Sequence, residues 1–129
     1  MTAPPAGPAS APPAMPRRRF GRTGLCLPLL SAGFMRAMQS WQDVDEAQID
    51  PFSQQTMLAV ANEALRLGID HFETARGYGS SERQLGRVLE HVGRDRIILQ
   101  TKVQPCADPE QFLAEVRDSL ARLRVARVD

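Results

Sequence analysis

Fifteen of the sixteen basic residues in this chain are arginine; the single lysine is Lys102, and the single tyrosine is Tyr78. A phenol and an ammonium make a chemically useful pair, because a nearby cation stabilises phenolate and makes a phenol a better proton donor. A carboxylate beside the ammonium fixes its position, and Glu73 stands five residues before Tyr78. A phenol so placed can give its proton to a carbonyl oxygen as negative charge develops there. Each residue also has a plain reading: a loop tyrosine packs, a strand-end lysine is solvated, and a strand glutamate pairs with arginine. Only their convergence on one site favours chemistry.

Convergence depends on the elements that carry them. Residues 69–74 are short, apolar and alternating, which predicts a strand ending near Glu73, with Tyr78 in the loop that follows. Ser80 or Ser81 then caps a helix, with Glu82 in the first turn where the helix dipole favours an anion. Leu85, Val88, Leu89 and Val92 supply its buried face, and Gly93 ends it. Residues 96–103 predict another strand; its continuous run Ile97-Ile98-Leu99 suits a parallel strand covered on both faces. Lys102 falls near the C-terminal end of that strand.

The flanking segments alternate in the same way. Residues 19–30 read as an edge hairpin, because Pro28 interrupts the second run. Residues 29–34 predict a buried strand, and residues 36–52 are irregular and acidic with a turn at Asp50-Pro51. Ser53 is expected to cap a helix carrying Met57, Val60, Ala61, Ala64, Leu65 and Leu67, ended by Gly68. Asp108-Pro109-Glu110 opens a last helix with proline in first position, burying Phe112, Val116, Leu120 and Leu123. Val125 to Asp129 begins a fourth strand. The fold class is α/β, a hairpin followed by parallel βαβ units with right-handed crossovers. Order alone fits an open sheet and a barrel equally, and in both the active site collects at the C-terminal ends of the strands. Gly77 and Gly79 follow a strand, but the third glycine of a dinucleotide-binding turn is absent, which argues against a Rossmann fold.

Composition excludes other classes. A net charge of +1 gives no basis for nucleic acid or an anionic membrane as partner. No stretch approaches the ~18 apolar residues of a membrane span. Cys26 and Cys106 have no metal-type spacing and form no disulfide framework, so a reducing cytoplasm is the expected compartment. Residues 1–16 hold six prolines and five alanines without a charge, which predicts a disordered tail ahead of a folded unit over 17–129.

The run Gly68-Ile69-Asp70-His71-Phe72-Glu73-Thr74-Ala75-Arg76-Gly77-Tyr78-Gly79-Ser80-Ser81-Glu82, followed by Gly86, resembles the signature of the aldo/keto reductase family. Phe20-Gly21-Arg22-Thr23-Gly24-Leu25 resembles that family's N-terminal hairpin. Ile98-Leu99-Gln100-Thr101-Lys102-Val103 resembles its third strand, and Ser119 to Leu123 with Val128-Asp129 resembles the helix and strand start beyond it. The resemblance implies the N-terminal part of a (β/α)8 TIM barrel and NADPH- or NADH-dependent reduction of a small aldehyde or ketone. Tyr78 would be the general acid and Lys102 its partner. Glu73 would stand where the family has Asp, a departure of one methylene. Gly33, Phe34 and Met35 fall where the family approaches the nicotinamide. Strand alternation puts His71 on the same face as Glu73, where a packed, hydrogen-bonded histidine is expected.

A complete barrel needs about 250 residues, and here three βα units are present with a fourth strand begun. The family's catalytic histidine would lie beyond Asp129. The chain is therefore expected to be the N-terminal portion of such a reductase, from a truncated or incomplete reading frame, and inactive alone. The alternative is a non-enzymatic remnant or interaction module that pairs through exposed strand edges.

Overall fold

The computed structural model describes residues 14–129, so the tail expected over residues 1–16 lies outside the described residues up to position 13. The chain enters through an antiparallel hairpin, β1 (Arg17–Arg19) and β2 (Cys26–Pro28), with Arg17 opposite Pro28. An Arg17–Asp70 ion pair at 2.9 Å ties the hairpin to the segment that enters the next sheet.

That sheet has three parallel strands in sequential order: β3 (Ala32–Gly33), β4 (His71–Glu73) and β5 (Ile98–Gln100). Each lies inside a segment expected to be a strand and is shorter than it. The intervening helices are α1 (Pro51–Arg66), α2 (Ser81–Val92) and α3 (Pro109–Leu123). The alternation expected from hydrophobic patterning is thus present.

Two helix starts obey the Asp-Pro rule. Asp108 accepts from the Glu110 amide at 2.9 Å ahead of Pro109. Asp50 likewise accepts from the Ser53 amide at 2.8 Å, so α1 starts at Pro51 and Ser53, the expected cap, lies inside the first turn. Proline has no amide hydrogen to satisfy and its φ already suits a helix, so it opens the helix in place of the expected turn.

The core lies between sheet and helices, where Phe34, Met57, Phe72, Leu85, Val88, Leu99 and Leu123 are buried. All four residues expected on the buried face of α2 are there. On α1, Val60 is exposed at 42%, off the stripe of Met57, Ala61 and Ala64. Of the four residues expected on the buried face of α3 only Leu123 is fully enclosed, while Phe112, Val116 and Leu120 are half-buried; Ser119 and Arg122 are buried beside Leu123. Where α2 crosses α3, Gly86 lies so close to the Arg122 carbonyl that a side-chain carbon would overlap it.

Residues 125–129 form no strand, which departs from the expected fourth one. They do run along β5: the Asp129 amide donates to the Leu99 carbonyl at 3.0 Å, and the Leu99 amide donates to the Asp129 carboxylate at 3.0 Å. The described residues form no closed barrel.

Candidate active site

The register of the sheet assembles the predicted residues. In β4, Glu73 pairs with Gly33 of β3 and with Gln100 of β5. Pairing continues past the strand ends, with the Thr74 amide on the Gln100 carbonyl at 3.0 Å and the Arg76 amide on the Lys102 carbonyl at 2.9 Å. That extension carries Lys102 alongside the 75–79 loop. Its ammonium Nζ meets Glu73 Oε1 in an ion pair and stands 4.7 Å from the centroid of the Tyr78 ring, within cation–π range. Tyr78, Lys102 and Glu73 therefore meet at the C-terminal edge of the parallel sheet.

The residue opposite, Gly33, decides how Glu73 fits. A carbon added at Gly33 would lie 3.3 Å from Glu73 Oε2, so the longer carboxylate occupies space that the glycine leaves open. Burial pushes the Lys102 ammonium below the ordinary lysine range. The Glu73 carboxylate beside it acts in the opposite sense, favouring the charged form. Such a lysine is a compact cation held by one carboxylate, with the phenol ring within its field.

The remaining predicted residues separate. Gly33 is exposed beside Glu73. The ring of Phe34 is fully buried, 4.9 Å from that of Phe72, so it faces the core and not the strand edge. Met35 is half-buried and lines a shallow pocket with Gln39, Ser40 and Trp41. His71 lies two residues deeper in β4 than Glu73, buried, with Nδ1 2.7 Å from the Ser31 hydroxyl. It borders a cavity of about 320 Å³ with Leu27 and Ile98. A cleft of about 460 Å³ along α1 and α2 contains none of the predicted residues.

Sequence patterning missed one neighbour. Trp41, in the acidic irregular segment, stands edge-on to Tyr78 with ring centroids 6.4 Å apart and planes at 86°. The signal available was Gly79, whose φ of +49° and lack of a side chain allow the Ser40–Trp41 backbone to lie against it.

The profile of the Aldo/keto reductase family matches residues 30–129. The chain belongs to the aldo/keto reductase family. It is 30% identical over 131 residues to the L-glyceraldehyde 3-phosphate reductase of Escherichia coli K12, an alignment that covers 89% of this chain and 35% of that protein. The crystal structure of an aldo-keto reductase from Pseudomonas aeruginosa superimposes with a TM-score of 0.71 at 28% identity, covering 88% of this chain and 45% of that one. An aldo-keto reductase from Klebsiella pneumoniae, solved in complex with NADPH, shares the fold with a TM-score of 0.62 at 22% identity, covering 82% and 34%. The chain thus spans about a third of the curated relative's length, and its three βα units correspond to part of the aldo/keto reductase TIM barrel. In this aldo/keto reductase segment the matched region includes Glu73, Tyr78 and Lys102.

Proposed function

We propose that this chain supplies the proton-donating part of an NAD(P)H-dependent reductase acting on a small aldehyde or ketone. The observation that carries the reading is the meeting of Tyr78 with the Lys102–Glu73 ion pair at the C-terminal strand edge. The residues there fit the reacting end of a nicotinamide. Gly33 is exposed at the same strand edge, paired with Glu73, so a ligand can reach the end of β3 there. When bound, the nicotinamide supplies hydride to the carbonyl carbon. Tyr78 gives its proton to the carbonyl oxygen as charge builds there. Lys102 holds positive charge beside the phenol, so the phenolate left behind is stabilised where it forms. Glu73 keeps the ammonium in place. The NADPH complex of the structurally similar Klebsiella protein supports NADPH as one such cofactor. Two exposed, free cysteines, Cys26 and Cys106, suit a reducing cytoplasm.

The 129 residues alone are proposed to lack turnover, since the open sheet brings together one part of the site. A second reading, an interaction module without chemistry, draws on the apolar side chains of Phe20, Leu29 and Leu30, each more than half exposed. A chimera separates the two: these residues replace the aligned segment of the E. coli L-glyceraldehyde 3-phosphate reductase. The enzyme reading expects carbonyl-dependent NADPH oxidation from the chimera and none from the 129-residue chain. A folded chimera that binds NADPH yet reduces no aldehyde in a broad panel would favour the module.

A further inference from the structure

Residues 39–43 are stitched onto the start of α2. The Gln39 amide donates to Gln84 Oε1 at 2.8 Å, and the Ser40 amide donates to the Ser80 hydroxyl at 3.2 Å. In return the Ser80 amide donates to the Ser40 carbonyl at 3.1 Å. Three residues on, Asp43 meets three arginines from three places in the chain. Arg122 of α3 donates from Nη1 to Asp43 Oδ1 at 2.6 Å and from Nη2 to Oδ2. Arg83 of α2 donates from Nε at 3.4 Å, and Arg76 of the Tyr78 loop lies at 3.5 Å. Trp41 lies between these two anchors. Its side chain is 60% exposed, so burial does not hold it edge-on to Tyr78; the attachments on either side do.

We propose that Asp43 is a positioning residue: its carboxylate latches the 39–43 segment to Arg122, Arg83 and Arg76 and so seats the Trp41 indole against the Tyr78 ring as one wall of the approach to the proton donor. The functional part of this inference rests on reading Tyr78 as that donor; the latch itself does not.

The geometry makes Asp43 the controlling end. Arg122 is 5% exposed at its side chain and is shared between Asp43 and Asp118, the latter at 2.8 Å. Arg76 likewise bridges to Asp118, at 2.9 Å. Asp118 stays with its arginines when Asp43 is neutralised, so the helices keep their pairing and the loop loses its own. A bidentate guanidinium–carboxylate pair also fixes direction as well as distance. Trp41 is therefore oriented as well as tethered.

Trp41 and Tyr78 are the only residues of their kinds, so proton NMR reads their contact without ambiguity. In the 129-residue chain, nuclear Overhauser cross-peaks are expected between the indole and phenol rings. In Asp43→Asn they should fall at least about five-fold, while those between Phe34 and Phe72 persist. Asp95→Asn, which removes another exposed carboxylate, should leave them unchanged. A folded Asp43→Asn chain with undiminished Trp41–Tyr78 cross-peaks overturns the proposal, as does their absence from the parent chain. If Asp43→Asn does not fold, Arg83→Gln removes the second partner, and an unchanged contact there is equally decisive against the latch. A merely stabilising Asp43 would shift the denaturation midpoint and leave the ring contact intact. The readout involves no turnover, so an inert Tyr78 and a failed latch give different results.

Discussion

Lys102 illustrates why residue type matters at this site. A guanidinium spreads its charge over a planar fork, whereas an ammonium is a compact cation on a flexible stem that can stand beside a ring and a carboxylate together. In a chain otherwise basic through arginine, the one lysine is the side chain paired with Glu73 and lying 4.7 Å from the Tyr78 ring. Glu73 complements that choice, because its carboxylate reaches into room left by Gly33. The two positions should therefore be coupled. In the chimeric reductase, Gly33→Ala is expected to lower kcat several-fold by displacing the carboxylate, and to do less in a Glu73→Asp background where the shorter side chain withdraws. Additive losses in this double-mutant cycle would show that the two do not share the space. The meeting of Tyr78, Lys102 and Glu73 was legible because the only tyrosine and the only lysine fell near strand ends with a carboxylate close by. Asp43 was not, since it lies outside any helix and its main partner, Arg122, is 79 positions away in α3, so no periodicity connects them.

At the scale of elements, hydrophobic patterning identified the three α-helices of the described residues, while helix starts, half-covered faces and the short 3-10 turns at Glu46–Gln48 and Arg94–Arg96 needed coordinates. The α1 start moved from Ser53 to Pro51 because Asp50 both precedes a proline and accepts the Ser53 amide. The expected face of α3 is only half enclosed, since burial depends on what stands outside the helix as well as on its own sequence. What joins α3 to the 36–50 segment is electrostatic. Arg122, with Arg83, holds the Asp43 carboxyl at about 2, below the ordinary aspartate value. A carboxylate with a depressed folded pKa stabilises the fold above its unfolded pKa, near 4, and that stabilisation is lost as pH falls towards 2. With 42% of the side chain exposed, solvent screening reduces this to about 1 kcal/mol. Chemical denaturation at pH 7 should find Asp43→Asn less stable by about that amount, with the difference shrinking between pH 4 and pH 2. A difference independent of pH would assign the loss to packing.

At the largest scale, the described residues form an open three-stranded parallel sheet with connecting helices and a hairpin at its entry. Its C-terminal edge holds a phenol, an ammonium and a carboxylate, and Asp129 exchanges hydrogen bonds with Leu99 of β5. The barrel architecture was legible from alternation only as one of two choices; the signature around Tyr78 and the structural relatives decided between them. The central claim is that Tyr78 is the proton donor. Its most direct test is kcat for aldehyde reduction by the chimera carrying Tyr78→Phe, measured beside its NADPH affinity. A general acid contributes about 10²–10⁴-fold, so kcat should fall by that factor while NADPH binding is unchanged. A Tyr78→Phe enzyme that keeps kcat within about two-fold of its parent would contradict the account.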